Sequence, residues 1–471
     1  MKCVSILLLL LACTPPPHKK VDPPPPAITP TAQPLHMFSP LVLEDTRAEA
    51  LAVLERDAWR RHWQVMEMVQ PGTLKRASQL SVEELPAFTP SELFEIGAQL
   101  FHGDVTRADG WGRGPAPQFR RIHEGTLGGP DATRCSACHW RGGPAGAGDA
   151  ADNAYLDGDG DTQASALTRN PIPLHGAGWL EILAQEMSQE LQTQRDVLVS
   201  RRQSGPLTVQ GVSFGVLGVD ASGNVDTSGL LGVDADLVVK PFGWKGRFPS
   251  LRSVVEDELN VHLGLQSALL EQGADADGDG VQNEFSDGQV AALTLFAAMQ
   301  EVPVVQVPVD SNLVLREAEG RHLFERMGCA VCHVPSLVVK DPRYHVAPGV
   351  DVELSVHGAQ PRLTASPVDG KFHVPLFSDL KRHDVGSALA DTREDHGVPA
   401  GMFLTRPLWG LSRSRPYLHD ARASTIQDAI LLHGGEAQAS RDAFAALPEE
   451  QRAAVRVFLT SLTRQRRLVA P

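Results

Sequence analysis

Two short patterns carry the chemistry of this chain: Cys135-Ser-Ala-Cys138-His139 and Cys329-Ala-Val-Cys332-His333. Each sets two thiols one helical turn apart with an imidazole directly behind, which is the attachment signal for c-type haem. The thiols reach the two vinyl groups of the porphyrin, and the His turns under the iron as its proximal ligand. A zinc site built from both pairs, or a redox disulfide, would need the Cys spacing but not a His after each pair. The chain has six Cys, and Cys3 and Cys13 belong to an N-terminal leader, so the remaining four all fall in these two patterns. The expected cofactors are two covalently attached c-type haems, held by Cys135, Cys138, His139, Cys329, Cys332 and His333.

The sixth position of each iron decides what such a protein does. An open position can react, whereas one closed by His or Met only passes electrons. With 17 His in the chain, candidates are many. For the second haem the choice is His433, which ends an amphipathic turn and is followed by Gly434-Gly435. Met402 is the alternative, with His383 and His419 weaker. For the first haem the matching position falls near His262, in Asn260-Val-His262-Leu-Gly264. His262 could ligate the iron, act as acid and base above an open iron, or be structural; His175 and His123 are in reserve. Trp244 reads either as a core aromatic or as an aromatic between the haems that assists electron transfer.

The elements that must position these residues are written twice. Gly97…Phe101 and Gly320…Phe324 share a Gly-x-x-x-Phe spacing on amphipathic helical patterns. Ala291–Phe296 pairs with Ala453–Phe458 as a closing helix, and Gly at the crossing permits close approach. Trp244-Lys-Gly-Arg247 through Leu251 likewise matches His419-Asp-Ala-Arg422 through Ile426. The expected fold is mainly α, two cytochrome c-like haem domains with long irregular loops related by internal repeat, over residues 90–303 and 310–465. Residues 41–89 read as an added helical segment, with Leu51, Leu54, Ala58, Val65 and Val69 on one face.

Composition bounds the rest. The 471 residues carry a net charge of −14, which excludes a nucleic-acid-binding role. At 42% apolar the chain can bury a sizeable core, and no apolar run approaches the ~20 residues of a membrane span. Met1-Lys2 and the apolar run Ile6–Leu11 read as a signal peptide over residues 1–12. Leu10-Leu-Ala-Cys13 resembles a lipobox, so residues 13–40 read as a lipid anchor and Pro-rich tether. The implied location is the periplasmic face of a bacterial membrane, the outer membrane by the Thr after Cys13. Only the anchor touches lipid. Asp275, Asp277, Asp279 and Asn283, with Gly280, begin as a calcium loop begins, although Ser286 stands where the closing Glu belongs. Asp157, Asp159 and Asp161 make a poorer match.

Over roughly residues 93–465 the chain resembles the di-haem oxidoreductase/putative peroxidase family. The resemblance is carried by Arg169–Gly178, Phe242–Arg247, Thr405–Gly410, Tyr417–Asp420 and His433–Ala437, together with both haem motifs. More distantly it is similar to bacterial di-haem cytochrome c peroxidases and MauG-type enzymes. That resemblance implies a Trp between the haems at Trp244 and a distal ligand on the second haem at His433. It also implies a Glu assisting O–O cleavage near His262, but no Glu stands at the aligned place. With His at the last position, the second haem is expected to be bis-His.

The function expected is an exported di-haem c-type cytochrome that moves electrons between its haems and reduces a peroxide-type substrate at the N-terminal haem. His262 and Trp244 are its expected catalytic residues. The alternative is a pure electron carrier with both irons six-coordinate. Expected partners are small redox proteins, a cytochrome or a cupredoxin.

Overall fold

The computed structural model describes residues 80–464 apart from 107–108, 112–120, 124–125, 129, 157–164, 268–283, 307 and 309. The leader, the lipid anchor and tether, most of the 41–89 segment and both calcium candidates (Asp275, Asp277, Asp279 and Asn283, and Asp157–Asp161) therefore lie outside the described residues. The described residues fall within one compact unit, Asp45–Pro471. No helix among them is long and apolar enough to cross a membrane.

Seven helices frame the sites: α1 (Pro90–His102), α2 (Ala177–Arg201), α3 (Leu251–Glu258), α4 (Asp287–Ala298), α5 (Ser311–Arg326), α6 (Ile426–Leu432) and α7 (Glu449–Ser461). Their starts are written in the sequence. Thr89 caps α1 in a reciprocal box with Glu92, and Pro90 follows at the first helical position. Ser286 does the same for α4 with Gln289, which accounts for Ser at the place where a calcium loop would close with Glu. Asp310 caps α5 and Thr425 caps α6.

Two helix pairs are built alike. A Cβ on Gly97 of α1 would lie 2.1 Å from the Ala292 carbonyl oxygen and 2.7 Å from the Phe296 Cβ of α4. A Cβ on Gly320 of α5 would lie 2.0 Å from the Ala454 oxygen and 2.9 Å from the Phe458 Cβ of α7. Only Gly lets either pair cross so closely. Phe101 then meets His139 with ring centroids 6.2 Å apart at 47°, and Phe324 meets His333 at the same 6.2 Å and 47°. Each pair anchors its own apolar cluster. One gathers Phe101, Leu259, Leu263, Phe285 and Phe296 around Cys135 and Cys138; the other gathers Phe324, Phe377, Ile426, Phe444 and Phe458 around Cys329. A third and larger core, with Trp179, Phe214 and Trp409, joins them.

The fold is mixed, not mainly α: helix accounts for 40% of it and strand for 17%. The strands are short and lie in what the sequence reads as loops, forming one four-stranded sheet, one three-stranded sheet and four two-stranded ladders among the described residues. The longest, Val212–Val219, alternates buried and exposed along most of its length and pairs with Gly205–Val209. Their turn, Gln210-Gly211, has φ of 50° and 84°, the double left-handed conformation that suits a two-residue hairpin. Of the 41–89 segment, only a 3-10 turn, Val82–Ala87, is described before α1.

Candidate functional site

The second motif opens onto a cavity of about 560 Å³, within the range of large ligand sites. Cys329, Cys332 and His333 line it, with His433, Phe324, Ile426 and Phe444. His333 donates Nδ1–H to Phe377 O at 3.1 Å, and His433 donates Nδ1–H to Ala429 O at 2.8 Å. A carbonyl only accepts, so each ring keeps Nε2 deprotonated and free as a ligand. Burial pushes His333 down to about 4 and lowers His433 too, so both stay neutral at pH 7.

The other sixth-ligand candidates do not share this geometry. His383 and Phe403 are cross-strand partners in the hairpin of Arg382–Asp384 with Met402–Leu404, and both line the cavity. Met402 is not among the lining residues, whereas Phe403 and Leu404 of the same strand are. His383 has both nitrogens on carboxylates, Nε2 2.8 Å from Asp379 and Nδ1 2.7 Å from Glu436. Burial opposes its charge, but these bonds and one to Cys332 raise it to about 11. His419 is buried, stacked on Phe403 with centroids 4.4 Å apart.

The first motif repeats the proximal arrangement. His139 donates Nδ1–H to Gly146 O at 3.2 Å, and burial lowers its affinity for a proton. Burial likewise pushes the Cys135 and Cys138 thiols up to about 12 and Cys329 up to about 11. All four Cys are unpaired, and among the described residues the two pairs form no four-sulfur cluster. The one grouping of three potential metal ligands among these residues is Cys332, Asp379 and His383.

His262 does not lie free above the first motif. Its Nδ1 is 2.9 Å from Asp131 Oδ1 and its Nε2 is 2.8 Å from Glu258 Oε2. With both nitrogens donating to carboxylates, the ring is an imidazolium; burial opposes the charge, but Glu258 and Asp131 raise it to about 10. The turn that carries it, Leu259–Leu263, is a π-helix, a widening frequent at functional sites.

Glu258 is the residue sequence reasoning missed. Trp244 and Glu258 are fourteen residues apart, as are His419 and His433. The register holds in three dimensions. Phe242 bridges Phe248 as Tyr417 bridges Ala423, and α3 and α6 start at equivalent places, Leu251 and Ile426. Glu258, not His262, is therefore the counterpart of His433. Its charge acts on both His139 and Cys135. Burial would raise the Glu258 carboxyl, but the His262 cation outweighs it and holds it below its ordinary value.

Trp244 sits on the wall of the second motif's cavity. It donates Nε1–H to Asn170 O at 2.8 Å and meets His419 edge-on at 6.3 Å. Asn170 begins a segment whose Pro171 and Leu174 pair with Gly148 and Ala145 in the loop behind His139. His175, at the end of that segment, is buried with Nε2 3.3 Å from Trp409 O. The His123 side chain lies outside the described residues.

Residues 240–462 match the family described as "Di-haem oxidoreductase, putative peroxidase". Over that stretch the chain is similar to the di-haem oxidoreductase family. The match takes in Trp244, Glu258, His262, the second motif and His433, and it supports a di-haem redox role. Two solved structures are similar. Hydrazine synthase of Kuenenia stuttgartiensis has a TM-score of 0.34 at 16% identity, covering 80% of this chain and 93% of that one. A MauG-like protein associated with microbial copper homeostasis has a TM-score of 0.28 at 15% identity, covering 53% and 79%. No curated protein matches this chain.

The residues present fit haem at both motifs. Each offers a neutral proximal imidazole with Nε2 free, two thiols beside it, and an apolar wall. The second adds an open cavity with a further neutral His.

Proposed function

We propose that this chain is an exported, lipid-anchored di-haem c-type oxidoreductase of two cytochrome-like modules that reduces a peroxide-type substrate at its N-terminal haem. Haem, when bound, supplies reversible one-electron iron chemistry at each motif. The chain's own residues divide the work. His333 and His433 face one cavity with Nε2 free and would close the second iron on both sides, which suits it to receive and pass electrons. Trp244, held by Asn170, would carry electrons toward the first motif.

The observation that carries this reading is that Glu258 occupies at the first motif the place His433 occupies at the second. A carboxylate held on an imidazolium is suited to move protons. Reduction of hydrogen peroxide takes two electrons and two protons and yields two waters. Glu258, ionised at rest, would take the proton from the near oxygen and return it to the departing one. His262 holds one carboxylate oxygen, and Asp131 holds His262 from behind. The role assigned to His262 is therefore to position Glu258 and fix its charge. A small cytochrome or cupredoxin would supply the electrons.

The test is haem stoichiometry by mass, followed by consumption of hydrogen peroxide with a reduced small cytochrome as donor. Two haems per chain and catalytic turnover are expected. Two haems with no turnover of any peroxide would leave an electron carrier.

A further inference from the structure

Arg406 is a cation with no carboxylate partner among the described residues. Among the described residues its one hydrogen bond runs from Nη1 to Pro241 O at 3.3 Å, and it forms no ion pair. It lines the cavity of the second motif, and its guanidinium lies 5.9 Å from the Trp244 ring. The other Arg lining that cavity, Arg441, is paired with Asp442. Buried arginines elsewhere are answered: Arg169 by Asp391 and Asp395, Arg464 by Glu301. A charged group withdrawn from water without a partner is costly, and natural proteins pair it. Burial accordingly lowers Arg406 to about 10, with no acid to offset it.

The side chain is also rigidly placed. Leu404 N–H donates to Trp244 O at 2.9 Å and Thr405 N–H to Lys381 O at 2.8 Å. Ser378 Oγ–H donates to Thr405 O at 2.6 Å, one residue beyond the Phe377 carbonyl that orients His333. Pro407 follows at once. A planar fork on a fixed backbone is the arrangement that takes a carboxylate with two hydrogen bonds.

We infer that Arg406 binds a propionate carboxylate of the haem attached at Cys329 and Cys332. The inference rests on the di-haem reading and adds to it a residue that sets the potential of the second haem. A cation on the propionate disfavours the ferric state, so removing it favours the ferric state.

The experiment is a spectroelectrochemical titration of each haem in the holoprotein, wild type, Arg406→Gln and Arg406→Lys, with resonance Raman of the propionate modes. Arg406→Gln is expected to shift the reduction equilibrium of the second haem about tenfold toward ferric, about 59 mV for one electron. The first haem should not move. Arg406→Lys keeps the charge but not the fork. Its potential should stay within about twofold of wild type in equilibrium terms, while the propionate band shifts. An unmoved second-haem potential in a fully loaded Arg406→Gln protein overturns the inference, as does a shift confined to the first haem. If Arg406→Gln does not assemble, an unmoved propionate band in Arg406→Lys overturns it equally. A wild-type chain with no haem on Cys329 and Cys332 overturns the di-haem reading and this inference together.

Discussion

Glu258 and His262 face each other one helical turn apart, with the imidazole Nε2 2.8 Å from the carboxylate Oε2 and Asp131 closing the other side of the ring. His262 is thereby held between two carboxylates, and the residue in register with His433 is itself a carboxylate. On the proposed reading that asymmetry would divide the labour: His433 would close one iron and Glu258 would leave the other open.

Replacing Glu258 with Gln keeps the shape and removes the proton carrier. Peroxide turnover should fall by about 10²–10⁴-fold, the usual worth of general acid–base catalysis. Both haems should remain attached with unchanged proximal spectra. Turnover within twofold of wild type would remove Glu258 from the chemistry.

The His262 imidazolium is also a stability element with a definite pH window. Its folded value, about 10, lies above the ordinary ~6.5 of an unfolded His. Its contribution is then complete below ~6.5 and disappears as pH rises through about 10. Thermal unfolding of wild type and His262→Gln should differ most near pH 6, and the two should converge by about pH 10. A difference that stays constant over this range would contradict the double clamp.

At the second motif, His433→Met should keep a closed iron but raise its potential, since a Met/His pair favours the ferrous state. His433→Ala should open it and convert its spectrum from low to high spin. Redox titration with optical spectroscopy reads both. An unchanged low-spin spectrum in His433→Ala would return the ligand role to another residue.

The helix crossings predict a packing cost. Gly97→Ala or Gly320→Ala forces a methyl to within about 2 Å of a backbone oxygen. Each should lose about 1–3 kcal/mol in denaturant unfolding of the holoprotein. The loss should come with a disturbed haem environment, because Phe101 and Phe324 lie one turn further on. A loss below about 0.5 kcal/mol, the scale of a surface change, would mean the helices can part.

Much of this was legible in the chain because local chemistry wrote it. The two Cys-x-x-Cys-His patterns and the Gly-x-x-x-Phe helices with their closing partners follow from spacing and side-chain type. The hairpins were missed because they are short and sit between helices, although the alternation of Val212–Val219 and the Gln210-Gly211 turn signal one of them. Glu258 was missed for a different reason. The π-turn at Leu259–Leu263 carries His262 one turn beyond the repeat, so a search for a matching His landed on its partner. Counting from Trp244 and His419 would have found the Glu. Arg406 was not visible at all, since a half-buried cation without an acid among the described residues is a fact of three dimensions.

The most direct test of an open first iron is low-temperature EPR of the holoprotein, oxidised and then half-reduced. The account predicts a high-spin ferric signal from the haem on Cys135 and Cys138, present at rest or appearing on half-reduction, beside a low-spin bis-His signal from the haem on Cys329 and Cys332. Two low-spin bis-His signals in every state would mean that a His closes the first iron, and would contradict it.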